Sequence, residues 1–147
     1  MKISTKGRYA LRLMLDLAER YEEDGYITIK SIAERQEISN KYLEQIIISL
    51  SRAGFVRSAR GAQGGYKLAR NPEEYTVGMI LRQIEGKMVP VSCMEDEPNQ
   101  CGRAEDCVTL EIWEQLSVAI NDVIDNITLE HLLEKQRAKP DGVYCKK

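Results

Sequence analysis

Three of the chain's four cysteines stand in one polar stretch, CMEDEPNQCGRAEDC, at residues 93–107. Cys93, Cys101 and Cys107 follow the spacing C-x7-C-x5-C, with mostly acidic and polar residues between them. Thiolates are soft ligands, and polar loops carrying several of them are usual holders of iron–sulfur clusters. Structural zinc sites usually begin with a close C-x2–4-C pair, and this chain has none. A thiol–disulfide switch would need only two of the three thiols to meet. Spacing alone therefore leaves a cluster, zinc, a redox switch and three unmodified thiols open. The fourth cysteine, Cys145, lies near the end of the chain and reads as a free surface thiol. His131, the one histidine, reads as an exposed or capping residue of a late helix.

A second set of residues suits a polyanion. Residues 1–70 carry 13 Lys/Arg against 8 Asp/Glu, while residues 71–147 carry 8 against 15. The net charge of −2 thus conceals a basic front half and an acidic back half. Within the basic half, SNKYLEQ opens a helix whose first turns offer Ser39, Asn40, Lys41, Tyr42, Glu44 and Gln45. In a helix-turn-helix these early positions enter the major groove. Gln45 suits adenine and Glu44 suits cytosine N4, while Lys41 and Tyr42 suit phosphates. Arg60, Gly61, Gly64 and Gly65 form a glycine-rich tip that can approach DNA closely, with an arginine for the minor groove. Lys6 and Arg8 add two further phosphate contacts.

The elements that must position these residues can be read from periodicity. GRYALRLMLDLAERY (7–21) spaces Ala10, Leu13, Met14, Leu17, Ala18 and Tyr21 along one helix face, with Ser4 or Thr5 as cap and Gly25 beyond its end. YITIKSIAERQ (26–36) begins as a β-like run and continues as a short helix carrying Ile32 and Ala33. EISNKYLEQIIISLSRAG (37–54) predicts the next helix, with Ser39 as N-cap and Gly54 at C′. Its apolar side is Tyr42, Leu43, Ile46, Ile47 and Leu50. FVRSA and GYKLA flank RGAQG as a hairpin, and helix-turn-helix plus hairpin is a winged helix. Asn71-Pro72 breaks the chain after it, and TVGMILRQIEG (76–86) gives a short helix ending at Gly86.

Residues 104–126 predict a long helix with Leu110, Trp113, Leu116, Ile120, Val123 or Ile124, and then Ile127, at steps of three and four. That seam resembles a coiled coil and predicts a homodimer through this helix. TLEHLLEKQ (128–136) is a last short helix capped by Thr128. The expected fold is mainly α with a small β-hairpin wing: a winged helix-turn-helix plus a long dimerisation helix. The expected division is a winged-helix domain at 1–75 and a connecting helix with the cysteine loop at 76–103. Dimerisation helices at 104–138 and a flexible tail at 139–147 complete it. The start of the chain shows no signal peptide, and no run approaches the roughly 18 apolar residues of a membrane span, so a cytoplasmic protein is expected. No constellation that would activate a substrate is present, which argues against an enzyme.

Several segments together carry a family resemblance: MKISTKGRYALRLMLDLA, ISNKYLEQ, RGAQGGYKLAR, the three spaced cysteines and NITLEHLL. Over residues 1–135 the chain resembles the Rrf-type family of bacterial winged-helix regulators, most of all its IscR-like iron–sulfur branch. The resemblance implies a homodimer on double-stranded DNA with a near-palindromic operator. It also implies a cluster near the start of the dimer helix, 2Fe-2S by the IscR-like likeness with 4Fe-4S as the other form. Cys93, Cys101 and Cys107 match the family's cluster cysteines. The branch places a histidine ligand three residues after the last cysteine, and here that residue is Leu110. Another branch draws an aspartate from the partner's first helix, where this chain has Arg8. The fourth ligand is then Glu105, Asp106 or Glu111, Cys145, a residue of the partner's first helix, or an exogenous molecule. The family's cysteine-metabolism branch implies the other expectation, a metal-free thiol-redox regulator.

Overall fold

The computed structural model describes residues 1–139, and the tail with Cys145 lies outside the described residues. Helix α1 (Thr5–Glu19) is the central strut. Ser4 caps it by accepting from the Gly7 N–H at 3.1 Å, so the helix starts two residues before the stretch 7–21 read from periodicity. Ala10, Leu13, Met14, Leu17 and Ala18 of α1 are buried, as the periodicity requires. Helices α2 (Ile29–Gln36) and α3 (Asn40–Arg52) pack against α1 through Ile32, Ala33, Leu43, Ile46, Ile47 and Leu50. The turn between them passes through Glu37 in a left-handed conformation, φ 54°, which a non-glycine residue adopts only where its surroundings enforce it. Gly54, φ 74°, follows the end of α3 as expected.

Strands β1 (Val56–Ala59) and β2 (Gly65–Leu68) pair antiparallel with Val56 opposite Leu68 and Ala59 opposite Gly65. Ile27 adds a bridge to Tyr66, with both backbone hydrogen bonds at 2.8 Å, so the segment before α2 roots the wing. Tyr75 anchors its base. The ring is fully buried, its hydroxyl donates to the Phe55 carbonyl at 2.7 Å, and it accepts from the Arg70 N–H at 3.1 Å. The observed winged-helix architecture agrees with the sequence expectation.

Helix α4 (Val77–Glu85) follows, then the cysteine loop, α5 (Leu110–Asp125) and α6 (Leu129–Arg137). Two expectations change here. The long helix begins at Leu110 rather than at residue 104. Ala104–Asp106 make a single 3-10 turn and Cys107 is extended, because Asp106, Cys107, Val108 and Thr109 are all weak helix formers. The segment 104–138 also divides in two. Leu129 and Leu133 of α6 return to the α1 core, and the Leu129 N–H donates to the Tyr75 carbonyl at 3.0 Å. Ile124 of α5 instead joins Leu81 and Met88 in a second small cluster, with Ile120 at its edge. His131 closes the capping box of α6 with Thr128. Among the described residues no helix is long and apolar enough to cross a membrane.

One polar cluster sits inside this packing. Asp16 of α1 is buried and accepts from Arg35 Nε at 3.0 Å, Arg35 Nη2 at 2.6 Å and Gln36 Nε2 at 2.9 Å. Gln36 is itself buried, and Arg12 donates to its side-chain and backbone oxygens. The carboxylate holds the Arg35 guanidinium above its ordinary pKa, chiefly through the hydrogen bonds. Removing one partner of a buried pair strands the other, at about 3–5 kcal/mol when both are enclosed. Arg35 keeps about a third of its side chain in water, so Asp16→Ala should cost less, about 2–3 kcal/mol. Urea denaturation should show this as a lower midpoint at unchanged m value.

Candidate DNA interface and cysteine loop

The face of α3 opposite its buried residues presents Asn40, Lys41, Glu44 and Gln45, all exposed. Ser39 sits at the helix start, where its hydroxyl accepts from the Tyr42 N–H at 3.2 Å. Tyr42 differs from these. It is half-buried, and its ring meets Tyr9 edge-on at 5.6 Å, which ties α3 to α1. Ile48 lies one turn beyond Glu44 on the same face and is 50% exposed. Sequence reasoning passed over it, although the i+4 spacing from Glu44 was visible. An exposed aliphatic group at that position can meet a thymine methyl.

At the wing, Arg60 and Gly61 are exposed at the tip. The other two glycines have a packing reason. A Cβ on Gly64 would lie 2.3 Å from the Ala59 carbonyl oxygen, and one on Gly65 would lie 2.4 Å from that of Ile27. Both serve the close backbone approach that builds the wing. Lys6 and Arg8 occupy the first turn of α1, with Arg8 donating to Thr5 Oγ1 at 3.1 Å.

The cysteine loop joins α4 to α5. Cys93 and Cys101 are exposed and Cys107 is half-buried; all three are free thiols. Cys93 lies in a 3-10 turn at Ser92–Met94, and the Cys101 N–H donates to Asn99 Oδ1 at 2.8 Å. Cys107 stands just before α5, its sulfur 3.4 Å from Thr109 Oγ1. The Thr109 hydroxyl pulls the Cys107 thiol below its ordinary pKa; burial, next in size, opposes it, and the N–H groups of Thr109 and Leu110 and the charge of Arg103 add to the lowering. Glu105 and Asp106 are exposed in the preceding turn, and Glu111 is exposed in the first turn of α5. Leu110 is half-buried and donates its N–H to the Cys107 carbonyl at 3.1 Å. Among the described residues, no three His, Cys, Asp or Glu side chains are gathered as a metal site.

On α5 apolar residues line two adjacent faces, with Val118, 71% exposed, apart from both. Ile120 and Ile124 turn to α4, where Arg82 grips Asp125 at 2.6 and 2.8 Å and also bonds Asn121. Ile112, Leu116 and Val123 remain 52, 43 and 57% exposed, at steps of four and seven.

The family model described as Rrf2, iron-dependent transcriptional regulator, matches residues 3–135. The transcriptional regulator CymR of Bacillus subtilis is 43% identical over 132 residues, covering 90% of this chain and 89% of its own length. A solved structure of the B. subtilis CymR, described as the global cysteine regulator, superposes with a TM-score of 0.77 at 41% identity over 92% of this chain and 98% of its own. The transcriptional regulator IscR of Pectobacterium atrosepticum is 38% identical, covering 92% of this chain and 81% of its own. The solved structure of T. potens IscR gives a TM-score of 0.75 at 41% identity over 97% and 94% of the two chains.

The thiol geometry has a measurable consequence. In metal-free protein, alkylation of Cys107 should be half-maximal at a lower pH than that of an unperturbed thiol. Thr109→Ala should move that midpoint upward, because it removes the main hydrogen bond to the thiolate. Mass spectrometry of the alkylated peptides across pH reads both shifts.

Proposed function

Because the chain belongs to the Rrf2 family of transcriptional regulators, we propose that it is a dimeric DNA-binding regulator whose cysteine loop senses iron–sulfur cluster or redox status. Its relatives are named as transcriptional regulators, a class without enzymatic activity. The carrying observation is one of placement. Asn40, Lys41, Glu44 and Gln45 share the open face of α3, and three thiols stand on the segment that leads into the half-bare helix α5.

In this reading Glu44 and Gln45 read base edges, while Lys41, Lys6 and Arg8 hold phosphates. Ser39, Asn40 and Tyr42 support the helix start, and Arg60 with Gly61 reaches the minor groove. Ile112, Leu116 and Val123 form the dimer seam, so two recognition helices meet a near-palindromic operator in the cytoplasm. Leu116→Asp should then convert the dimer to a monomer in sedimentation, with the helical signal retained. A variant that still sediments as a dimer would place the interface elsewhere.

The donor set fits an iron–sulfur cluster in softness and fills three of four positions with Cys93, Cys101 and Cys107. When bound, such a cluster, 2Fe-2S by the IscR-like likeness or else 4Fe-4S, would supply an oxidisable and exchangeable centre. The chain's part is to draw these separate side chains together at the root of α5. Leu110 offers no side-chain ligand atom, so the fourth position falls to Glu105, Asp106 or Glu111, to Cys145, to a residue of the partner's first helix or to an exogenous group. A specific observation also supports a metal-free thiol switch: the thiols are separately accessible, and a relative is described as a global cysteine regulator.

Anaerobic reconstitution with iron and sulfide separates the two. The cluster reading expects a coloured protein with an EPR signal on reduction, lost in Cys101→Ala while the fold persists. A colourless, iron-free product that still changes its DNA affinity on oxidation would establish the thiol switch instead.

A further inference from the structure

The start of α1 breaks two local rules. Its first turn carries no acidic residue and instead places Lys6 and Arg8 at the positive end of the helix dipole. At the end of α4, Glu85 puts a carboxylate at the negative end of that helix, also unfavourable by itself. The fold resolves both by bringing them together. Glu85 Oε1 accepts from the Ser4 N–H at 2.9 Å and from the Ser4 hydroxyl at 2.6 Å. The Ser4 oxygen in turn accepts from the Gly7 N–H at 3.1 Å. The carboxylate thus polarises the N-cap of a helix 81 positions away in the chain.

Gly7 carries an independent sign of the same contact. A Cβ there would lie 2.2 Å from Glu85 Oε1, so glycine leaves the space the carboxylate fills. Places where local propensity is overruled by a specific compensation are where functional constraints concentrate. Of the two cations that local electrostatics disfavours, Arg8 is exposed and Lys6 half-buried at this turn.

We infer that Glu85 is a positioning residue for DNA binding, holding and charge-balancing the first turn of α1 so that Lys6 and Arg8 meet phosphates. The inference rests on the reading above that these two side chains contact DNA. It makes a prediction opposite in sign to simple electrostatics. Removing an acidic group from a DNA-facing surface should by itself strengthen binding. Removing a positioning group should weaken it.

The test is the salt dependence of affinity of the full chain for a fluorescent duplex of random sequence between about 50 and 200 mM salt. Lys6→Gln with Arg8→Gln should lower the log–log slope by about two per protomer. Glu85→Ala should lower affinity and reduce the slope toward that value, with no further loss when all three changes are combined. Glu85→Gln retains an acceptor oxygen for Ser4 and should recover most of the slope. Gly7→Ala, which displaces the carboxylate, should behave as Glu85→Ala. Ser4→Ala carries the same expectation should Glu85→Ala not fold.

If the double variant lowers the slope but Glu85→Ala and Gly7→Ala leave it unchanged, or raise affinity, the positioning role is overturned alone. If the double variant itself leaves the slope unchanged, the DNA contact of α1 falls and the inference with it.

Discussion

The buried carboxylate of Asp16 is the constraint around which the DNA-reading half is arranged. A charge withdrawn from water must be fully partnered, and its partners here come from two helices: Arg35 and Gln36 of α2, and Arg20 one turn along α1 itself. This sets the register of α2 on α1 more sharply than the apolar contacts of Ile32 and Ala33 could. Arg12 extends the grip to the last residue of α2, just before the left-handed Glu37 turns the chain. The direction of α3 follows from that turn, and the aim of Asn40, Lys41, Glu44 and Gln45 follows from α3.

The second half of the chain is attached at fewer points. Helix α4 is gripped from both sides, by Ser4 at its end through Glu85 and by α5 through Arg82 and Asp125. Asp125 raises the pKa of Arg82, and Arg82 lowers that of Asp125, chiefly through the hydrogen bonds they share. The segment after α4 is held by buried Met88 and by the Pro90 carbonyl, which accepts from the Met1 nitrogen at 3.2 Å. Beyond this the cysteine loop runs in short turns with polar side chains outward. The same helix that bears on the start of α1 therefore leads directly into the thiol-bearing loop.

Much of this was legible because it rests on local chemistry. Ser4, Ser39 and Thr128 cap their helices, and Gly54 and Gly86 end theirs, since orphan N–H and C=O groups need partners wherever a helix stops. The wing was legible from alternation around RGAQG. The start of α5 was not, because apolar spacing carries past a point where weak helix formers unwind the chain. The seam of α5 was legible only in part. Its spacing fits two neighbouring faces, and packing on α4 took Ile120 and Ile124 and left Ile112, Leu116 and Val123 bare. The wing glycines were read as openings toward DNA, whereas Gly64 and Gly65 are small because backbone passes close to them.

By itself, then, the sequence determined the winged helix, the polar face of the recognition helix and the identity of the three thiols. These depend on periodicity, caps and composition, which act over a few residues. Tertiary structure alone decided that Asp16 would be buried against α2, that α6 would return to the α1 core, and that Glu85 would reach Ser4. Each of these joins residues far apart in the chain or depends on which face is covered. No local propensity encodes such a contact, and in the case of Lys6, Arg8 and Glu85 local propensity points the other way.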